Sequence, residues 1–278
     1  MIKITTFTDP MMGLSWEYEP TFRKLETHFQ IEFRYIMSLL VPDVYRFVNP
    51  NDLKISKEFA LTKYNEQLAR IYESEEAISG MPINMNDFHL FSVENDSSTP
   101  LNLAYKAVQL IDKSMASSFL YNLRYATIVE CRQTTKLDEI LNVVRKSNID
   151  TEKFLERYND GSAEKALQHD LILTRELGIH TLPAYLIQCD DKSALIKILI
   201  GYEDFVSIIR EMTNGRIMPQ SPKLSAEVFT EFLNKHPLIS LLELQEAFDF
   251  ENVDAVKKFI NTVSKESCIL KNGFIAKI

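Results

Sequence analysis

The first thirty residues combine a strand, a tight turn and a helix, and this order constrains the fold more than any other feature of the sequence. The run Ile2–Thr8 alternates and is rich in β-branched side chains, which predicts a β-strand. Apolar residues recur every three to four positions from Leu14 to Phe29, which predicts one face of a helix. The turn between them, Asp9–Trp16, therefore lies at the N-terminus of the predicted helix.

A second strand follows this helix. The run Ile31–Leu40 alternates at first and then becomes continuously apolar, which predicts a buried strand that ends at Val41 and Pro42. Two strands joined by a helix form a right-handed β-α-β unit. The chain therefore begins as an α/β domain.

Composition and charge limit the function classes. The chain has 278 residues and a formal net charge of −8, which disfavours nucleic acid and anionic membranes as partners. Its three cysteines, Cys131, Cys189 and Cys268, lie far apart, so the spacing predicts neither a disulfide framework nor a zinc site. We predict no metal and no cofactor. The absence of a signal-peptide pattern and of an apolar run of about 20 residues predicts a cytoplasmic protein without a membrane partner.

The middle of the chain is predicted to be a helical insertion, about residues 53–177. Thr99 and Pro100 are typical of a helix start, because threonine caps the helix and proline fits its first turn. The last helix, Ser162–Leu177, is followed by Gly178 as a C-terminal cap. Pro183 then precedes an apolar strand, and Ile196–Gly201 is the predicted partner strand.

A segment rich in Asn, Gly, Pro and Ser, residues 213–222, predicts a boundary between a domain at 1–212 and a module at 221–278. The module has three predicted helices, the second over Leu238–Phe248, and a hairpin with an Asn272-Gly273 turn, a winged-helix-like order. From Ser221 onward it contains seven Lys, no Arg and eight acidic residues. This charge balance argues against DNA binding, for which a basic stripe with arginine is typical.

The turn Asp9-Pro10-Met11-Met12-Gly13-Leu14-Ser15-Trp16 resembles the pattern Asp-Pro-x-Cys-x-x-Cys-Trp of the DsbA-like branch of thioredoxin proteins. The resemblance extends over most of residues 1–212, including Ser98-Thr99-Pro100 and Thr181-Leu182-Pro183. It implies an α/β thioredoxin-like fold with a large helical insertion, to which the winged-helix-like module is added. It also implies that Pro183 is the cis-proline that lies against the turn.

Neither redox cysteine is present, because Met12 and Ser15 occupy the two cysteine positions. A thioether cannot attack a disulfide, and a serine hydroxyl needs an adjacent base to become a nucleophile. Dithiol exchange at this turn is therefore excluded, and we predict no catalytic residue.

A DsbA-like domain followed by a small C-terminal module resembles the Spx adaptors of low-GC Gram-positive bacteria, the SpxH (YjbH) type. The resemblance implies a non-catalytic adaptor that binds the regulator Spx and promotes its degradation by the ClpXP protease. Members of that family commonly keep one or both redox cysteines, so thiol-based sensing by this turn is not expected here. Adaptor function needs a protein-binding surface rather than a thiol.

Two interpretations of the turn remain open. In the first interpretation, the turn exposes an apolar surface for a partner, since Met-rich surfaces adapt to varied partners. This surface consists of Met11, Met12, Leu14 and Trp16, with Leu182 nearby. In the second they are buried and fill the space of the lost disulfide. An alternative function is that of a cytoplasmic DsbA-superfamily enzyme, either glutathione-dependent or a residual oxidoreductase, with Ser15 or His180 in a chemical role.

Overall fold

A mixed four-stranded sheet organises the N-terminal part of the computed structural model, which describes residues 1–263 and 268–277. Its strands are β1 (Ile2–Thr8), β2 (Ile31–Met37), β3 (Ala184–Cys189) and β4 (Lys192–Ile196), in the order β2-β1-β3-β4. β1 and β2 are parallel, with Ile2 opposite Ile31, whereas β3 is antiparallel to both β1 and β4. The predicted β-α-β start is confirmed.

The helix between β1 and β2 is divided in two. α1 (Gly13–Glu17) and α2 (Glu19–His28) are separated at Tyr18, and Pro20 lies in the first turn of α2. Proline has no N–H to donate within a helix and its ring clashes with the preceding turn, so the helix restarts there. The single helix predicted from Leu14 to Phe29 is therefore corrected to two.

Helices form the predicted insertion between β2 and β3. They are α3 (Pro50–Leu53), α4 (Lys57–Glu75), α5 (Thr99–Ile111), α6 (Lys113–Ile128), α7 (Leu137–Lys146), α8 (Thr151–Asn159) and α9 (Ser162–Glu176). The N-cap of α5 is Ser98 rather than the predicted Thr99, and its hydroxyl makes no capping bond. That hydroxyl instead donates to Asp9, which leads to the site described below.

The last strand of the sheet differs from the prediction. Asp190 has a φ of +54° and begins a turn that places Lys192 opposite Cys189. The ladder therefore starts directly after the turn and ends at Ile196, so the strand predicted over Ile196–Gly201 is wrong. α10 (Tyr202–Met212) then packs against the sheet.

The C-terminal part has its own sheet and core. Its elements are α11 (Ala226–Lys235), β5 (Leu238–Ser240), α12 (Leu241–Ala247), α13 (Val253–Val263), β6 (Cys268–Lys271) and β7 (Phe274–Lys277), with strand order β5-β7-β6. The predicted hairpin is confirmed, since Asn272 and Gly273 both have positive φ values of 50° and 80°. The helix predicted over Leu238–Phe248 is corrected, because its first residues pair with β7 as β5.

We refer to residues 1–212 as the N-terminal module and to residues 221–277 as the C-terminal module. The boundary between them stays a prediction, and residues 264–267 and 278 of the predicted range lie outside the described residues. Among the helices described, none is both long and apolar enough to cross a membrane. The hairpin residue Phe274 packs into the helical core of the N-terminal module, which joins the two modules.

Candidate functional site

The turn after β1 is closed by its own backbone and by one buried carboxylate. The Met12 N–H donates to the Asp9 carbonyl oxygen at 3.1 Å, and α1 begins at the next residue. The Asp9 carboxylate accepts hydrogen bonds from Met11 N–H at 3.0 Å and Leu40 N–H at 2.8 Å. It also accepts from Ser98 Oγ at 2.7 Å and Asn102 Nδ2 at 2.8 Å. These bonds fix the turn to the segment that follows β2 and to the start of α5.

Burial governs the charge of Asp9. The side chain is fully buried, and desolvation raises the pKa of its carboxyl above the usual value, although the four donors oppose this shift. Each donor satisfies an oxygen that would otherwise be unpaired in the core. We therefore interpret Asp9 as the anchor of the turn rather than as a catalytic acid.

Ser15 lies within the core, and no basic side chain among the described residues bonds to its hydroxyl. Its Oγ is 2.8 Å from Thr8 Oγ1, which in turn accepts from Arg124 Nη2 at 2.8 Å. A guanidinium has N–H donors but no acceptor atom, so Arg124 cannot accept the proton of the hydroxyl. Ser15 is 1% exposed and Met12 is 5% exposed. The arrangement therefore lacks both the base and the access that a serine nucleophile needs.

The hypothesis that the turn exposes an apolar surface is wrong for three of its residues. Met11, Met12 and Trp16 are all buried, and Met11 and Trp16 belong to the helical core. Leu14 and Leu182 are only partly buried. Leu182 packs against a smaller apolar cluster on the sheet. The second interpretation of the turn, in which its apolar residues fill the interior, is the one the structure supports.

Trp16 explains why the turn is closed. Its indole lies 5.1 Å from the Tyr121 ring and 6.0 Å, in a stacked arrangement, from the ring of Phe274 in the C-terminal hairpin. Its Nε1–H donates to the Pro82 carbonyl oxygen at 3.1 Å. A residue that directly follows the former redox positions thus contacts the C-terminal module.

The remaining predicted residues lie apart from one another. The Leu182–Pro183 peptide bond is cis. His180 is exposed, and in the part of the chain that the structure describes it makes no side-chain hydrogen bond. Cys189 is buried in β3, whereas Cys131 is partly buried and burial raises the pKa of its thiol. A buried or protonated thiol is a poor nucleophile.

One feature of the turn was not predicted from the sequence. The Glu75 carboxylate lies on Gly13, where an added Cβ would be 2.0 Å from Glu75 Oε2 and 2.5 Å from the Tyr72 ring. Burial, together with the charge of Glu17, raises the pKa of Glu75 to about 7. Within residues 1–263 and 268–277, Glu17 Oε1 and Glu75 Oε2 are buried without a hydrogen-bond partner. Nothing in the local sequence around Glu75 distinguishes it from a surface acid.

A second polar cluster joins the two modules, and we call it the module junction: Glu19, Arg23, Glu26, Tyr121, Arg124, His236 and Glu243. Arg23 on α2 donates to Glu19 at 2.5 Å, to Glu26 at 2.8 Å and to Glu243 of α12 at 3.2 Å. Desolvation disfavours the charge of Arg23, but these three carboxylates raise its pKa well above the usual value. The guanidinium is thus a charged centre shared by both modules.

Glu243 completes this junction. Its carboxylate, with side-chain exposure of 0%, accepts from Tyr121 OH at 2.6 Å and from the Ser240 N–H at 2.8 Å. Burial raises its pKa, while Arg23 opposes that shift. The sequence offers a partial signal for the junction, because Glu19 and Arg23 have the i,i+4 spacing of a helical ion pair. Their burial against Glu243 has no sequence signal.

The junction and the turn are connected through Arg124. Its Nη1 donates to Glu19 at 2.9 Å, and its Nη2 donates to Thr8, the hydroxyl that contacts Ser15. Arg124 is fully buried on the mainly apolar buried face of α6. A charged residue inside an apolar helical stripe is the signal that identifies such a position.

Comparison with known proteins relates both modules to named relatives. The family model described as thioredoxin matches residues 5–206. The ClpXP adapter protein SpxH of Halalkalibacterium halodurans is 25% identical over 272 residues, which cover 95% of this chain and 84% of that protein. The ClpXP adapter protein SpxH of Bacillus subtilis is 26% identical over 83% of this chain and 74% of its own length.

Solved structures support the fold. A protein from Nitrosomonas europaea described as a disulfide isomerase has a TM-score of 0.61 at 13% identity, and covers 77% of this chain and 98% of its own. The cytosolic disulfide reductase DsbM of Pseudomonas aeruginosa has a TM-score of 0.52 at 15% identity, over 76% and 98%. The predicted thioredoxin-like, DsbA-like α/β fold is confirmed, and the winged-helix-like description of the C-terminal module stays a prediction.

Proposed function

Because this chain belongs to the thioredoxin family but has no thiol in its redox turn, we propose that it is a non-catalytic adapter of the ClpXP protease. The observation that carries this proposal is the similarity to ClpXP adapter proteins over 95% of the chain, both modules included. The client we propose is the regulator Spx, which the adapter delivers for degradation in the cytoplasm.

The geometry supports a binding role rather than chemistry. An adapter must hold a client and present it, which requires a surface of fixed shape and no reacting group. The module junction supplies the fixed shape, because Arg23 bonds to carboxylates of both modules inside the protein. Rigid arrangement of two modules lowers the entropy lost when both contact one partner.

No specific observation favours the alternative of a DsbA-superfamily enzyme. The Ser15 hydroxyl is buried and contacts a threonine hydroxyl. Met12, a thioether without an acidic proton, occupies the first of the two cysteine positions. Leu14 and Leu182, which are partly exposed, remain proposed client contacts beside the turn.

The test is a timed degradation assay with purified Spx, ClpX, ClpP and ATP, with and without this protein. We expect Spx to disappear at least about tenfold faster with the adapter present, since tethering replaces a bimolecular encounter by an intramolecular one. A substrate that ClpXP recognises directly is the control and should be degraded at an unchanged rate. No acceleration and no Spx binding would refute the proposal for Spx.

A further inference from the structure

The strand β2 has a free edge. It is terminal in the sheet order β2-β1-β3-β4, so only one of its sides is paired with β1. The Ser38 N–H donates to Thr8 of β1 at 2.8 Å, whereas the Met37 N–H points the other way, to the Asp170 carboxylate at 2.8 Å. Backbone groups alternate along a strand, so those of Ile31, Phe33 and Tyr35 also point away from β1.

These outward groups have no partner among the residues that the structure describes. Within the residues that the structure describes, no hydrogen bond from outside the strand reaches the main chain of Ile31, Phe33 or Tyr35. Asp170, itself paired with Lys106, closes the far end at Met37. The unpaired part therefore spans five residues, about 16 Å at the usual rise of a strand. Its first four residues, 31–34, are exposed or partly exposed, whereas Tyr35 is 5% exposed. Native proteins normally cover or block such an edge, because it is a template for another strand.

Two cavities lie along this free part. One has a volume of about 470 Å³ and extends from Ile31 to Lys235 and Leu238 of the C-terminal module. The other, of about 510 Å³, extends past Tyr35 to Lys113 at the start of α6. A peptide segment extended along β2 would thus have free space in both cavities and would contact both modules.

The charge of the second cavity indicates the chemistry of its occupant. Lys3, Arg34 and Lys113 line it together with a single acid, Glu32. Among the described residues, none of these three cations forms an ion pair, although the protein as a whole has a net charge of −8. Uncompensated cations beside an open groove favour an acidic partner.

We propose that the free edge of β2, from Ile31 to Tyr35, binds an extended acidic segment of the client by strand addition, with its carboxylates at Lys3, Arg34 and Lys113. This inference rests on the proposed adapter function, since it makes the segment part of the client. Main-chain hydrogen bonds provide affinity in this mode of recognition, and the flanking side chains provide selectivity.

The first measurement is the affinity of purified Spx for two pairs of variants. Ile31→Pro removes an outward N–H at the first residue of the strand, where proline is tolerated, and Ile31→Ala is its matched control. Lys3→Glu/Arg34→Glu/Lys113→Glu reverses the groove charge, and Arg70→Glu/Lys165→Glu/Lys258→Glu makes the same change at exposed positions elsewhere. We expect a loss of about tenfold or more for the first member of each pair only. Circular dichroism and urea unfolding establish that each variant is folded.

The outcomes separate the two proposals. If the wild-type protein accelerates Spx degradation and both members of each pair bind Spx equally, the β2 edge is overturned and the adapter function stands. A second copy of this chain is the other occupant of such an edge. If sedimentation shows a dimer that only the groove variants abolish, the client proposal for this edge is also overturned.

A second probe decides the case in which Spx does not bind at all. The ¹⁵N-labelled full chain is titrated with a synthetic ten-residue peptide of alternating Glu and Val, and with its Lys-Val counterpart. We expect the amide signals of Ile31, Phe33 and Tyr35 to shift with the Glu peptide and those of Glu32 and Arg34 to shift less. Equal shifts with both peptides, or none at β2, would overturn the inference.

Discussion

The turn Asp9–Trp16 and the module junction are both buried, but they are closed by different chemistry. The turn is filled by Met11, Met12 and Trp16, and its one central carboxylate, Asp9, is satisfied by neutral donors. The junction instead places Arg23 among three carboxylates, one of them from the C-terminal module. The segment formed by α1 and α2 contributes residues to both regions.

This difference shows which contacts are made by a turn that has no redox cysteines. Disulfide exchange requires an accessible turn, whereas here Trp16 stacks on Phe274 and the turn helps to seat the C-terminal hairpin. Apolar side chains that fill a space add stability but do not require one particular neighbour. A buried ion cluster, in contrast, is satisfied only in one arrangement of its charged groups. We therefore expect the junction to be the less tolerant region, and the following variants test that ranking.

The largest effect is expected for Arg23→Met at the junction. It leaves Glu19, Glu26 and Glu243 without their shared counter-charge, which typically costs about 3–5 kcal/mol in a buried pair. Urea unfolding at pH 7 measures the loss. Lys63→Met is the control, because Lys63 pairs with Glu66 at the surface and should cost at most about 1 kcal/mol. Equal losses would mean that the junction contributes no more than a surface pair.

An intermediate effect is expected for Gly13→Ala in the turn. The added methyl group meets Glu75 Oε2 at 2.0 Å and the Tyr72 ring at 2.5 Å. That ring is buried, and its hydroxyl donates to the Met11 carbonyl oxygen. Overpacking of this kind costs about 1–3 kcal/mol. Gly201→Ala, whose methyl would lie 3.7 Å from the nearest atom, should cost less in the same unfolding assay. The order would be reversed if the turn were loosely packed.

The smallest effect is expected for Glu75→Gln, and it depends on pH. The folded carboxyl keeps its proton up to a pKa of about 7, whereas the unfolded one loses it near 4.5. The folded state therefore binds more protons between these values, and the free energy of unfolding decreases as pH rises through this interval. A shift of this size sets an upper limit of about 3 kcal/mol, and solvent screening of the partly exposed side chain lowers it. Glu75→Gln should therefore remove that decrease and stabilise the protein at pH 8 by about 1 kcal/mol.

Unfolding of Glu75→Gln at pH 4.5, 6 and 8 measures this dependence. The control is Glu73→Gln on the same helix, since Glu73 is exposed and the charge change is identical. Parallel pH curves for the two variants would show that Glu75 does not titrate in this range. A steeper wild-type slope than that of Glu75→Gln would support the buried position of the carboxylate on Gly13.

Particular residues show how far sequence reasoning reached. The alternation of Ile2–Thr8 and the Asn272-Gly273 turn predicted their elements correctly, because both signals are local. The strand over Ile196–Gly201 was misplaced because the turn at Asp190 fixed the register, and turn geometry decides register. The sequence left open whether Met11, Met12 and Trp16 are exposed or buried, since burial depends on helices that are distant in sequence.

The sequence by itself determined the strand-turn-helix start, the absence of thiols from positions 12 and 15, and the added C-terminal helices and hairpin. These follow from local periodicity and residue identity, which need no partner. Only the tertiary structure decided that the turn is sealed by Trp16 against Phe274, that Arg23 meets Glu243, and that β2 keeps a free edge. Each of these depends on contacts between residues far apart in the chain. Local sequence patterns do not show which distant residues contact each other.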